Sequence, residues 1–249
     1  MKKLIKKIVG KKTTNLIAKV VVSQSIKNVM KSFDNGEIKD TAEDITNLLF
    51  SKKAQYLRPW QHKEEFLALA QTAEAKKPQT VLEIGTATGG SLLMLSRLSA
   101  DNALIVSIDL PDGMDLGNGE FGGGYPEWKI PLYKSFGKKN QTIELIRDDS
   151  HSQKVLNQLE KILGGKKIDF MFIDGDHSYE GVKSDFNMYK GLLNHGALVA
   201  FHDIMKDKRE NPDNLVSIFW NEIKNDYEYK EHVKDRDQSQ LGIGILTIK

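Results

Sequence analysis

From residue 77 onward, short apolar runs alternate with amphipathic stretches along the chain. "QTVLEIG" reads as a buried strand entering a glycine turn, "GGSLLMLSRLSA" as a helix, and "ALIVSIDL" as a second strand ending in an acid. "TIELI", "KIDFMFID" and "HGALVAFHD" are further runs of strand length, each set apart by a helical stretch or a loop. Strands that alternate with helices predict a doubly wound α/β sheet, mostly parallel. The tail breaks this rhythm. "YEYKEHV" and "GIGILTI", joined by the polar "KDRDQSQL", predict a C-terminal hairpin laid antiparallel on the sheet, for seven strands in all.

Residues 1–77 have a different pattern. "MKKLIKKIVGKK" puts Leu4, Ile5, Ile8 and Val9 on one helical face and lysines on the other. Residues 14–31 form a second helical stretch carrying Leu16, Ile17, Val20, Val21, Ile26 and Val29, and helix-like segments follow at 40–51 and 61–75. The chain therefore divides into an N-terminal helical extension, residues 1–77, and an α/β domain, residues 78–249. Nine lysines fall between Lys2 and Lys31, with no acid before Asp34. The expected role of this extension is to cover the domain or to pair copies into a homo-oligomer, with lysines as its wet face. The alternative is a weak peripheral contact of residues 1–31 with an anionic membrane.

Composition adds mainly exclusions. A net charge of +2 over 249 residues gives no footprint for nucleic acid. The absence of cysteine removes disulfides, thiolate zinc sites and cysteine nucleophiles. There is no uncharged apolar run of about 18 residues, and no cleavage site follows the charged start, so a cytoplasmic protein is expected.

Candidate chemistry falls at the carboxyl ends of the strands, where open α/β sheets bind ligands. "EIGTATGGS" spaces its glycines G-x-x-x-G-G rather than in the dinucleotide pattern, and Glu83 precedes the first of them. An acid beside a pyrophosphate would repel it, whereas a ligand with a cationic amino group would welcome it. Together with Asp109 at the end of the next strand, this favours S-adenosylmethionine over a nicotinamide cofactor. At the other end, "FIDGDHSYEGV" gathers Asp174, Asp176, His177 and Glu180, and "AFHD" brings His202 and Asp203 to a neighbouring strand tip. Asp174, His202 and Asp203 could converge on a divalent cation such as magnesium or manganese, the imidazole tilting the choice towards manganese, iron or zinc. A histidine near pKa 6.5 suits His177 as a general base. The plainer alternative is a hydrophilic loop in which Ser178 caps the next helix. The glycine-rich residues 111–133 read as a lid or an insertion, with Tyr125, Trp128 and Tyr133 placed to stack on a ring. Phe219 and Trp220 read as a helix packed on the sheet.

"VLEIGTATGGSLLML", "IVSIDL", "IRDDSHS", "FIDGDHSYEGVKSDF" and "GALVAFHD" together resemble class I S-adenosylmethionine-dependent methyltransferases with a Rossmann-like fold. The branch they are most similar to is that of the cephalosporin hydroxylase-like proteins and catechol-type O-methyltransferases. The resemblance covers residues 78–249. It implies that Glu83, Gly85 and Ser91 bind the methionine part of the cofactor, Asp109 its ribose hydroxyls, and Asp149 and Ser150 its adenine, with Thr86 also among the cofactor-binding residues. It implies a metal at Asp174, His202 and Asp203, with His177 in the place of a catalytic lysine and His202 departing from the usual acidic ligand. The expected activity is methyl transfer to a hydroxyl of a small acceptor, a sugar or secondary metabolite. The competing functions are a nicotinamide-dependent oxidoreductase and a non-catalytic, cofactor-binding or membrane-associated module.

Overall fold

All five residues of strand β1 (Thr80–Ile84) are buried, as befits a strand central to a sheet and covered on both faces. It pairs in parallel with β2 (Leu104–Asp109) on one side and β4 (Ile168–Ile173) on the other. Outside these lie β3 (Thr142–Arg147) and β5 (Leu193–His202), again parallel. The hairpin of β6 (Glu228–His232) and β7 (Ile243–Thr247) completes the sheet, with β7 antiparallel to β5. The order β3-β2-β1-β4-β5-β7-β6 is the expected seven-stranded, mostly parallel arrangement. This computed structural model describes residues 11–112, 123–210 and 213–249. The helical stretch expected at residues 1–9 and the middle of the glycine-rich segment lie outside them.

Helices cover both faces of the sheet. On one face α1 (Lys11–Asp34), α2 (Ala42–Leu49), α3 (Lys63–Lys76), α4 (Gly90–Leu98) and the short α5 (Ile130–Lys134) share one hydrophobic cluster with Val81, Ile105, Phe170 and Phe172. On the other, α6 (Gln153–Leu163), α7 (Tyr179–Tyr189) and α8 (Val216–Ile223) pack on Leu82, Met171, Val199 and Phe201. Alternate residues of each strand thus feed opposite clusters, as a period of two requires. Phe219 and Trp220 are buried against Phe201, the packing expected of that helix.

Residues from the N-terminal extension are bound into this core. Buried Glu65 on α3 accepts hydrogen bonds from the backbone N–H groups of Lys234 and Gly242, at 2.9 and 3.0 Å, and so ties α3 to the chain between β6 and β7. The chain winds from β1 through β2 to β3 on one side, then crosses from β3 to β4 on the other side of β1. The carboxyl ends of β1, β2 and β4 therefore flank a switch point, the place where such sheets open a crevice.

Candidate active site

Gly85 leaves β1 with φ +95°, a conformation that favours glycine, and a Cβ there would lie 1.9 Å from the carbonyl oxygen of Asp174. Its N–H donates to the Ile108 carbonyl at 2.9 Å, while the Asp174 N–H donates to the Ile84 carbonyl at 2.8 Å. Three strand ends are thereby clipped together at one turn. The N–H groups of Thr86 and Ala87 donate to Oδ2 of Asp109 at 3.0 and 2.7 Å, and that of Leu110 to Oδ1 at 2.7 Å. Burial raises the Asp109 carboxyl above its ordinary value despite these three donors.

Behind the turn, the Thr86 hydroxyl meets Ser107 at 2.5 Å, and Ser107 donates to Oε2 of Glu83 at 2.5 Å. Complete burial pushes the Glu83 carboxyl up to about 8, against the lowering effect of the Ser107 and Ser91 hydroxyls. Glu83 is consequently neutral at pH 7 rather than an exposed anion, and its Oε1 has no hydrogen-bond partner.

In front of the turn runs a cleft of about 860 Å³. Gly85, Asp109, Asp149, Ser150, Asp174 and His177 line it. Glu83, Thr86, Ser91, His202 and Asp203 are buried behind it.

At one end of the cleft Asp174 acts as a hub. Its Oδ1 lies 2.9 Å from Nδ1 of His202 and 3.3 Å from Nε2 of His177. Burial works to raise the Asp174 carboxyl, but the two imidazoles outweigh it and hold the group well below the ordinary carboxylate range. Burial works to lower both histidines, and Asp174 reverses it: His177 lies above its ordinary value and His202 at about 9. Neither ring nitrogen of buried His202 has a well-aligned hydrogen-bond partner. Asp174, His177 and His202 each offer a ligand atom within 4.8 Å of the other two, the donor spacing a metal ion needs.

Asp203 is differently engaged from the expectation. Its backbone takes φ +64°, and its oxygens accept from the Asn214 side-chain amide and, at 2.7 Å, from the Leu241 N–H. It stands 3.6 Å from His177 Nε2 as a charge, and His177 takes its place in the group able to share an ion.

A family model described as "Methyltransferase domain" matches residues 82–204 of the chain, a span that contains the glycine turn and Asp174, His177, His202 and Asp203. Residues 82–204 are a methyltransferase domain. An uncharacterized protein of Acanthamoeba polyphaga mimivirus is 28% identical over 184 residues, 71% of this chain and 76% of its own length. The fold is also that of an O-methyltransferase from Bacillus cereus solved in complex with SAH, with a TM-score of 0.56 and 16% identity over 84% of this chain and 90% of that one. A second solved structure is TomG from Streptomyces achromogenes, involved in tomaymycin synthesis and in complex with SAM. Its TM-score is 0.53, with 14% identity over 90% of each chain.

The methyltransferase domain holds its Asp149–Ser150 loop from beneath. Nε2 of His151 lies between the Gly181 carbonyl at 3.1 Å and Oδ1 of fully buried Asp185 at 3.2 Å. A single N–H cannot serve both acceptors; it is aligned on Gly181, and Asp185 faces the ring as a charge. Asp185 outweighs burial and raises His151 to about 9. The Tyr189 hydroxyl adds a 2.5 Å hydrogen bond to the Ser150 carbonyl.

One expectation is corrected by the packing of the domain. Tyr125 and Tyr133 do not offer faces to a ligand ring: both are fully buried, 4.9 Å apart, and the Tyr133 hydroxyl donates to the Ala87 carbonyl at 2.9 Å. Trp128 is only partly exposed and packs on the same cluster. These aromatics brace the glycine loop from behind. Asn214 and Asp185 are the site residues that the sequence concealed. Each supports a functional side chain from a distant helix or loop, and no local motif marks them.

Proposed function

We propose that the protein transfers the methyl group of S-adenosylmethionine to a hydroxyl of a small acceptor such as a sugar or secondary metabolite, with His177 as the base. The observation that carries this reading is the position of His177. Its side chain is 43% exposed at one end of the cleft, paired with Asp174, while the Gly85 turn forms the middle of the same cleft. In the reaction the acceptor oxygen attacks the methyl carbon as the carbon–sulfur bond breaks. The hydroxyl proton passes to the ring nitrogen of His177 that does not face Asp174, and S-adenosylhomocysteine leaves. Asp174 stabilises the imidazolium that forms, as a carboxylate behind a histidine does. Asp109, Asp149 and Ser150 line the part of the cleft left for the nucleoside, and the neutral, buried Glu83 supports the loop through Ser107 and Thr86.

The residues present also fit a divalent metal. A ring nitrogen of His202, buried beside an ionised carboxylate without an aligned hydrogen bond, is a donor that such an ion would satisfy. Asp174, His177 and His202 would hold it, and two imidazoles with one carboxylate favour manganese, iron or zinc over magnesium. A bound metal would supply Lewis-acid polarisation of the acceptor oxygen. His177 can hold either the ion or the proton, so the two modes are separable by experiment.

Thermal denaturation in the presence of S-adenosylhomocysteine or NAD tests the cofactor. Stabilisation by the first alone is expected, and stabilisation by NAD alone would overturn the assignment. Turnover measured after chelation, and again after adding manganese or magnesium, then separates the metal-assisted mode from the histidine-only mode.

A further inference from the structure

Helix α1 is anchored in the core through its second half. Ile26, Val29, Met30 and Phe33 are buried in the core, whereas residues 16–21 are all exposed. Among the latter, Leu16 is 60%, Ile17 50%, Val20 60% and Val21 46% accessible. The spacing i, i+1, i+4, i+5 sets these four side chains in one stripe along the helix. The other large exposed apolar side chains among the described residues, Trp60, Ile218 and Tyr229, lie far apart in sequence. A contiguous stripe of this kind marks a surface that something covers.

Charge identifies the occupant. Lysines at 19, 27 and 31 lie on the same helix, and the sequence from Lys2 to Lys31 holds nine lysines with no acid before Asp34. Upstream, Leu4, Ile5, Ile8 and Val9 repeat the spacing of the stripe between lysine pairs. A second copy of this helix would set its five lysines against five. A nucleic acid would meet the lysines and leave the stripe wet. An anionic bilayer satisfies both, taking the apolar side chains into its interface and the ammonium groups among its headgroups.

We propose that α1 seats on an anionic lipid surface through the stripe at residues 16–21. Lys19 Nζ lies 5.8 Å from the centroid of the Trp128 ring, and Trp128 follows closely on Gly123 and Gly124 at the cleft.

Co-sedimentation of the full chain with vesicles tests this, using phosphatidylcholine alone and phosphatidylcholine mixed with phosphatidylglycerol. Binding is expected to the mixed vesicles, falling at least about tenfold without phosphatidylglycerol, in high salt, or in the Ile17→Glu/Val20→Glu variant. Equal melting temperatures of variant and wild type establish that the fold is kept; should the double variant not fold, Val20→Gln carries the same comparison. No binding to the mixed vesicles overturns the proposal, as does equal binding by the variants. So does a dimer in sedimentation velocity that these substitutions disperse while lipid binding is absent, or binding to RNA without binding to vesicles.

Discussion

Nδ1 of His202 lies 2.9 Å from Oδ1 of Asp174 across the carboxyl ends of two neighbouring parallel strands. The contact joins residues far apart in sequence because β4 and β5 are paired through Ile173 and Phe201, immediately before them. With His177 at 3.3 Å, Asp174 faces two imidazoles at once. The three groups set one another's charge, so altering one shifts the protonation of the others.

Replacing Asp174 by Asn keeps the shape and removes the charge. Turnover is expected to fall at least about 100-fold, the scale on which a positioned acid–base pair contributes. S-adenosylhomocysteine affinity should change little, because the Gly85 turn and Asp109 are untouched. His202 should titrate below its present value of about 9, since the carboxylate that outweighs burial is gone. Calorimetry and histidine NMR resonances read these two quantities; unchanged turnover would remove Asp174 from the mechanism.

A base must be neutral to accept a proton. Burial lowers His177, but Asp174 and Asp203 more than compensate and raise it above 6.5. The rate should therefore climb with pH, pass an inflection above 6.5, and level off once His177 is deprotonated. His177→Ala should be slower by about 100-fold or more and should lose that inflection. A variant that is slow yet keeps the wild-type profile would assign His177 to positioning.

The strands were legible because they are covered on both faces and read as near-continuous apolar runs, and the hairpin because it follows a polar turn. Asp174, His177 and His202 were legible as strand-end acids and imidazoles. What the sequence concealed depends on distant packing. Asp203 sits beside His202 in the chain, but the Asn214 amide and the Leu241 N–H claim its oxygens. Tyr125 and Tyr133 carry the composition of a stacking platform, yet the loop folds them inward as braces for Ala87. Burial also decides the state of Glu83: the acid that suggested attraction for an amino group is raised to about 8 and is neutral.

Gly85 gives a test of the turn itself. An alanine there would need φ +95° and would drive its methyl into the Asp174 carbonyl, backbone against backbone. Gly85→Ala should destabilise the protein by more than about 2 kcal/mol, a strained-backbone and steric effect combined. Denaturant unfolding measures the loss. A change below about 0.5 kcal/mol, the ordinary size for an uninvolved surface site, would show that the three strand ends are not locked as described.

The pair of His151 and Asp185 makes a stability prediction with a definite sign. His151 is raised from 6.5 to about 9 by Asp185, so in the folded protein it holds a proton that the unfolded chain releases earlier. Its contribution is fully present below pH 6.5 and is lost as the pH rises through about 9. Asp185→Asn removes the cause of the shift while leaving the Gly181 carbonyl as acceptor. The difference in unfolding free energy between wild type and Asp185→Asn should therefore shrink across that window. The Asp149–Ser150 loop rests on the same imidazole, so S-adenosylhomocysteine affinity should weaken in parallel in the variant. A stability difference that stays constant from below pH 6.5 to above about 9 would mean that the charge on His151 is not what holds this loop.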